Sequence, residues 1–551
     1  MTAMTQADPF GPGQPFEIVE QDIRGVRTRT WRNAPSSLRA ILDQSRTHGD
    51  ATFLVYEDER LTFEDHFRAV TAAASWLARE AGVAKGDRVA VAMRNYPEWS
   101  IAFWAAAAIG AIVVPLNAWW TCDELLYGLD DSATKVLLAD AERAERLGGR
   151  RPDALEQIVV ARTEGATDGV GWEDVIGGTG AELPGVDIEP EDDATIFYTS
   201  GTTGFPKGAV GTHRNICTNL WNLAVGRAAR AQAGPPTTQA ASLLSVPFFH
   251  ATGCHSTLVP AAMFGSKLVM MYRFDPERAL ELIERERITS FGGVPAMVWK
   301  ILESPDFDKR DLSSVQSIGY GGAPAPPELV RKIEKLVPKA SPGNGYGLTE
   351  TSSLAIGNGG ADYLRKPDSV GRPVPVCEVK VVGEDGNEVA TDELGELWIK
   401  GPNVVRGYWN KPEATAETFT DGWLRTGDVG CIDEEGFVYI RDRAKDMIIR
   451  GGENVYCAEV EAAIFEHPAV SDAAVIGIPD RVLGEEVGAV VQLKPGESMT
   501  SDDLREHCAQ RIAAFKVPVR IWFTDDALPR NPAGKVLKRQ LRDELAGEGA
   551  V

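Results

Sequence analysis

Between positions 198 and 208 the chain reads Tyr-Thr-Ser-Gly-Thr-Thr-Gly-Phe-Pro-Lys-Gly, directly after the short run Ala-Thr-Ile-Phe. Glycines let backbone N–H groups approach phosphate oxygens, hydroxyls add donors, and a lysine offsets negative charge. The spacing therefore predicts a phosphate-binding loop in which Thr199, Ser200, Gly201, Thr202, Thr203 and Gly204 contact phosphates and Lys207 faces a triphosphate. A P-loop NTPase is disfavoured, because Gly208 follows the lysine and no Ser or Thr takes the Mg²⁺ position. Taken alone, the same residues also suit a solvated turn.

The elements that must hold this loop read as α/β. Helical-period segments such as Ala72–Glu80 and Pro276–Glu286 alternate with short apolar runs such as Arg88–Met93 and Lys267–Met271, which predicts βα units and mainly parallel sheets. The run from Ile101 to Leu116, broken by Gly110 and Pro115, reads as a buried helix leading into a strand and is too short to span a bilayer. From Val376 to Ile440 short runs separated by Gly- and Asp-rich turns predict a mostly antiparallel β subdomain. Beyond it come helices expected at about Cys457–Glu466 and Ser501–Ala513, enough for a small α+β domain. The expected boundaries are residues 1–441 for a large N-terminal domain (376–441 the β subdomain), 442–446 for a charged hinge and 447–551 for a mobile C-terminal domain.

At 551 residues, 43% hydrophobic and 25% charged, the chain suits several packed domains, and its net charge of −23 excludes a general nucleic-acid or anionic-membrane role. Any anionic ligand must then meet local positive charge. Seven scattered cysteines without metal-like spacing, and an N-terminus without a basic start and apolar run, point to a reduced, cytoplasmic setting.

The loop is also the first of an ordered series: GYGLTET at 345–351, GELWIKGPNVVRGYW at 395–409, WLRTGDVG at 423–430, RDRAKDMIIRGGENVYCAEVE at 441–461 and NPAGKVLKRQLR at 531–542. Over nearly its whole length the chain resembles the acyl-adenylate-forming superfamily, which includes acyl-CoA synthetases, firefly-type luciferases and the adenylation domains of peptide synthetases. That resemblance implies that Tyr346 lies against adenine, Thr349 meets the α-phosphate and Glu350 holds Mg²⁺, a hard cation on a hard oxygen ligand. Gly321, Gly322 and Ala323 would border adenine, Asp428 would accept from the ribose hydroxyls, and Ile440 and Arg443 would complete the nucleotide site. Lys535 would be the catalytic lysine, whose ammonium stabilises charge that builds in the transition state. The neighbouring Lys538, Arg539 and Arg542 read as a solvated basic face.

For a second step the resemblance implies rotation of the small domain about a hinge at Lys445, with Gly451, Gly452 and Glu453 lining a pantetheine channel. His250 would orient the acid or gate its pocket, with Phe249, Val294, Gly319, Ala323 and Gly347 as walls. No conspicuous cationic residue marks that pocket, which favours a largely apolar acid, fatty, alicyclic or aryl. The implied activity is an ATP-, Mg²⁺- and coenzyme A-dependent acid–CoA ligase without nucleic-acid partner or integral membrane segment. A homodimer is compatible with this. A carrier protein or an amine as acceptor, and a non-catalytic acyl or nucleotide sensor, are the competing readings.

Overall fold

The computed structural model describes residues 8–163, 169–178, 181–199, 206–231, 238–323, 325–443, 446–451, 453–531 and 534–545. Four sheets of the described residues carry the site. A seven-stranded sheet runs in the order Lys207–Thr212, Asp193–Thr199, Ile112–Pro115, Arg88–Ala92, Val136–Asp140, Gln157–Ala161, Val170–Gly171. It is parallel except for the hairpin of its first two strands. A nine-stranded sheet has a parallel centre that includes Ser290–Gly293, Ser317–Gly321 and Ser341–Tyr346, with antiparallel edges. The strands Glu378–Val382 to Val438–Arg443 form an antiparallel five-stranded sheet, and Ile448–Arg450 to Arg520–Thr524 a second one in which Arg520–Thr524 pairs parallel. The layered α/β architecture with a β subdomain and a smaller C-terminal unit is as the sequence predicts.

Helix boundaries differ where local signals outrank periodicity. The helix expected from Ala72 starts at Phe63, because Thr62 and Asp65 form a reciprocal capping box that pairs otherwise orphaned N–H groups. The helix expected to reach Ala513 ends at Ala509, where the chain turns so that Ile512, Phe515 and Val517 pack onto the small domain's core.

The run at 101–116 is a helix, Pro97–Ala108, followed by the strand Ile112–Pro115, with Gly110 at φ +71° making the turn between them. Apart from Glu98 and Ser100 it is apolar, and every residue but Glu98 is buried, as in a helix packed on nearly every side. Trp99 stacks on both Phe103 and Phe248, with ring centroids 5.6 Å and 4.9 Å away. Phe248 precedes Phe249 and His250, so this core helix supports one wall of the site directly. Removing a fully buried aromatic of this kind costs about 3–5 kcal/mol. Phe103→Ala is therefore expected to lower the stability of the N-terminal unit by that amount in urea unfolding; a change below about 1 kcal/mol would show that the helix is not the core.

Candidate active site

The strands Asp193–Thr199 and Lys207–Thr212 pair antiparallel, closing at Thr199 opposite Lys207, where the Thr199 hydroxyl donates to the Lys207 carbonyl at 3.3 Å. Ser200, Gly201, Thr202, Thr203 and Gly204 lie outside the described residues. The base of the hairpin is anchored by the Tyr198 hydroxyl, which donates to Asp131 Oδ2 at 2.8 Å; burial, then the Asp131 carboxylate, raises that phenol's pKa.

Segment 405–409 runs along the outer strand. Trp409 N donates to the Gly208 carbonyl at 2.8 Å, and Val210 N to the Gly407 carbonyl at 2.9 Å. This puts the Tyr408 ring 5.2 Å from Lys207 Nζ, while the Tyr408 hydroxyl donates to Glu350 Oε1 at 2.7 Å. Burial, reinforced by Glu350, raises the Tyr408 pKa, so the phenol stays a donor. Lys207 and Glu350 thus meet the same ring, the ammonium over its face and the carboxylate at its hydroxyl. Among the described residues no cluster of three or more His, Cys, Asp or Glu exists. A Mg²⁺ here would therefore take Glu350 together with phosphate and water oxygens, which is how this cation is commonly held on nucleotides.

The motif turn follows the strand Ser341–Tyr346. A Cβ on Gly321 would collide with the Gly345 carbonyl, and one on Gly347 with the Ser353 carbonyl, so both glycines permit backbone approaches that no other residue allows. Gly322 has φ +77°, and Ala323 is half-buried beside it. The Tyr346 hydroxyl donates to Asp428 Oδ2 at 2.5 Å, and Asp428 is only 4% exposed. Asp428 lies opposite Arg443 in the strand register; the Arg443 side chain is outside the description. Ile440, Tyr346 and Leu348 all pack against the same core cluster. Thr349 opens a short 3-10 turn, Thr349–Thr351, held by Leu348 N donating to Thr351 Oγ1 at 2.8 Å and by Asn403 Nδ2 donating to the Thr351 carbonyl at 3.1 Å.

On the acid side, Asn95 fixes the loop before His250: its Nδ2 donates to the Val246 carbonyl at 3.1 Å and its Oδ1 accepts from Phe248 N at 3.0 Å. His250 Nε2 is buried with no hydrogen-bond partner among the described residues. Burial, aided by the Lys535 ammonium, lowers the His250 pKa to about 4, so the imidazole is neutral near pH 7. Lys535 is thus close enough to act on His250 electrostatically. Its loop also lies against Val294, since a Cβ on Gly534 would sit 2.6 Å from Val294 Cγ2. Arg530 braces the turn by donating to the Gly534 carbonyl and to Asp472, each at 2.6 Å, and Lys535 N donates to Asn531 Oδ1 at 2.9 Å. Gly319 is exposed, with open space where a side chain would be.

The structure corrects one expectation and adds a residue that the sequence did not single out. Lys538 is not solvated: its ammonium pairs with Glu461 at 2.8 Å, and although burial opposes the charge, that carboxylate raises the lysine pKa. The added residue is Arg94. A cavity of about 220 Å³ is lined by Arg94, Trp119, Phe249, Tyr272, Phe274 and Met297 among others. Arg94, 5% exposed, is sandwiched between the Trp119 and Tyr272 rings at 4.2 and 4.6 Å, and its Nη1 has no partner among the described residues. The position was legible in principle: Arg94-Asn95 follows the carboxyl end of the parallel strand Arg88–Ala92, where α/β sheets place ligands. Tyr408 and Asn95 were likewise missed, because neither residue type alone signals a site.

Gly451 and Glu453 are exposed at the tip of the hairpin Ile448–Arg450/Glu453–Val455 rather than packed into the assembled site. Gly452 and Lys445 lie outside the described residues.

Residues 41–409 match the AMP-binding enzyme family, and residues 459–535 match the AMP-binding enzyme C-terminal domain. The chain is 35% identical over 500 residues to a feruloyl-CoA synthase of Amycolatopsis sp, covering 91% of this chain and 97% of that one. It is 37% identical over 475 residues to a long-chain-fatty-acid–CoA ligase of Mycobacterium tuberculosis, covering 84% and 89%. The structure of o-succinylbenzoate CoA synthetase from Bacillus subtilis in complex with its acyl-adenylate intermediate superposes with a TM-score of 0.78 at 31% identity, over 92% of this chain and 98% of that one. The chain belongs to the AMP-binding enzyme family. Its relatives there include acid–CoA ligases and an amide bond synthetase, and it is an enzyme of the AMP-forming ligase class.

Half-buried His250, whose Nε2 is enclosed, shares its low pKa with three fully buried histidines: His66 at about 3, and His213 and His255 at about 4, all lowered first by burial. A histidine held neutral in the fold takes up a proton on unfolding below its ordinary pKa of about 6.5, so stability is lost as pH falls from about 6.5 toward 4. His250→Gln is expected to flatten that loss by up to about 1.4 kcal/mol per pH unit. Unfolding followed between pH 4 and 7 checks this; an unchanged slope would mean that His250 is not buried neutral.

Proposed function

We propose that this enzyme joins a carboxylic acid to coenzyme A in two steps, using ATP and Mg²⁺. The observation that carries this reading is the closeness of Lys535 to neutral His250, with the adjoining Gly534 against Val294, in a chain that also holds the Tyr346–Asp428 pair and the Lys207–Tyr408–Glu350 group. In the first step an oxygen of the acid's carboxylate attacks the α-phosphorus of ATP and the bond to pyrophosphate breaks, giving acyl-AMP. Tyr346 and Asp428 hold adenine and ribose, Lys207 and the Thr199 end of the hairpin face the phosphates, and Thr349 lies beside the α-phosphate. Glu350 would hold Mg²⁺, which offsets charge on the phosphates when bound. Lys535 places its ammonium where negative charge grows in the transition state, in a setting dry enough to keep His250 neutral.

In the second step the thiol sulfur of coenzyme A bonds to the acyl carbon and the bond to AMP breaks. Residues 447–551 turn about the 442–446 segment at Lys445, withdrawing Lys535 and bringing Gly451, Gly452 and Glu453 to the pantetheine. The Arg94 cavity is assigned to this acceptor. It borders Phe249, next to His250, and its buried guanidinium offers a donor to amide or phosphate oxygens in a chain whose net charge is otherwise −23. The acid is a largely apolar one, fatty, alicyclic or aryl, received on the Val294 and Gly319 side. A cytoplasmic setting agrees with seven free cysteines and with the absence, among the described residues, of any helix long and apolar enough to cross a membrane.

Pyrophosphate release with ATP and Mg²⁺ across a panel of fatty, alicyclic and aromatic acids, with and without coenzyme A, tests the reading. Acid-dependent release that turns over repeatedly only with coenzyme A is the expected result; release that turns over with an amine instead would overturn the choice of acceptor. Lys535→Ala is expected to slow adenylate formation by about 100- to 1,000-fold, the usual loss when one charge-stabilising group is removed, while thioester formation from supplied acyl-AMP changes far less. Equal loss in both half-reactions would remove Lys535 from its role. Arg94→Ala should raise the KM for coenzyme A by about tenfold with the adenylation rate unchanged, the scale of one charge-assisted hydrogen bond. A rise in the KM for the acid would assign the cavity to the acid.

A further inference from the structure

Between the acid side and the nucleotide side lies a buried polar node to which the two-step chemistry assigns no role. His250 caps the short helix Ala251–Gly253, which runs into a π-helical turn, Cys254–Leu258, and then the helix Val259–Phe264. A π turn inserts an extra residue and re-aims the side chains on it, and such turns concentrate at functional sites. This one directs His255 and Ser256 toward Ser352 and Ser353, the two residues immediately after the Thr349–Thr351 turn. The Ser256 hydroxyl donates to Ser353 Oγ at 2.8 Å. The His255 imidazole faces the Ser352 backbone and meets the Phe197 ring edge-on at 4.8 Å, Phe197 being part of the phosphate hairpin.

Asn219 closes the node. It is fully buried on the helix His213–Ala231 that follows the hairpin. Its Nδ2 donates to the His255 carbonyl at 3.0 Å and to Ser256 Oγ at 3.3 Å, and its Oδ1 accepts from Leu354 N at 2.9 Å. Hairpin helix, acid-side helix and motif turn are therefore joined through one amide. The join bears a load, because Ser352 and Ser353 have φ of +53° and +105°. A non-glycine residue persists in such a conformation only when its surroundings hold it there. The Ser353 carbonyl in turn occupies the space over Gly347, beside the adenine-binding Tyr346.

We infer that Ser256 and Asn219 are positioning residues that couple the two substrate sites: an acid settling beside His250 sets the π turn, and the Ser256–Ser353 contact passes that setting to the turn carrying Thr349 and Glu350, so that acid and ATP favour each other's binding. The inference rests on the ligase reading above. It requires a coupling free energy between the acid and nucleotide sites, which by linkage is the same whichever ligand binds first.

The test uses α,β-methylene-ATP, whose dissociation constant is measured by calorimetry with and without a saturating acid taken from the panel that supports pyrophosphate release. In the unaltered enzyme the acid is expected to tighten the analogue at least about fivefold, the lower end of ordinary couplings. Ser256 is half-buried, so Ser256→Ala should keep the thermal midpoint and the rate of thioester formation from supplied acyl-AMP, yet bring the ratio of dissociation constants close to one. Ser256→Thr, which retains the hydroxyl, should restore it. A Ser256→Ala enzyme that keeps the full ratio, a Ser256→Thr enzyme that stays uncoupled, or an unaltered enzyme with no coupling would each overturn the inference while leaving the ligase reading in place. Absence of acid-dependent pyrophosphate release in the unaltered enzyme would instead bring down that reading, and this inference with it.

Discussion

The site depends on the pairing of segment 405–409 with the outer strand Lys207–Thr212. Buried backbone N–H and C=O groups must find partners, and an open sheet edge supplies a row of them. The bonds from Trp409 N to the Gly208 carbonyl and from Val210 N to the Gly407 carbonyl use that edge to seat the β subdomain on the seven-stranded sheet. Asn215 strengthens the join by donating to the Pro402 and Val404 carbonyls at 2.8 and 3.0 Å, as does Trp409 through its indole N–H, which donates to the Asp131 carbonyl at 3.0 Å. Once the join is made, Tyr408 falls between Lys207 and Glu350, and the β-subdomain strand Trp423–Ile432 carries Asp428 to Tyr346.

Charge is managed locally in a chain whose net charge would repel a nucleotide. Lys207 is set over a ring and near a carboxylate, so it is held without being neutralised by a direct ion pair among the described residues. Lys538, three residues after Lys535, is matched by Glu461. Lys535 lies close enough to His250 to help lower its pKa, and a protonated His250 would set a second cation against that ammonium.

Close backbone approach is the other recurring device. Gly321 lies on the Gly345 carbonyl and Gly347 under the Ser353 carbonyl, so these strand ends are shaped by main chain. Main chain cannot rotate out of the way, which makes the surface they form rigid. The same rigidity makes the strained serines at 352 and 353 dependent on neighbours from two other elements.

By itself the sequence determined the α/β class, a buried helix leading into a strand within 101–116 and the antiparallel subdomain, because each is written in local periodicity, in apolar runs and in glycine placement. Thr62, a plain capping residue, moved a helix start that periodicity had set too late, which shows that even local structure needs side-chain chemistry as well as pattern. Tertiary structure alone decided that Lys538, in a run that reads along the chain as a solvated basic face, pairs with Glu461. It also decided where Arg94 ends up: a guanidinium beside a buried strand gives no hint, along the chain, of the Trp119 and Tyr272 rings that enclose it from 25 and 178 residues away. Asn219 and Ser256 were illegible for the same reason, for their partners lie in other elements and hydrogen bonds across a fold leave no period in a sequence.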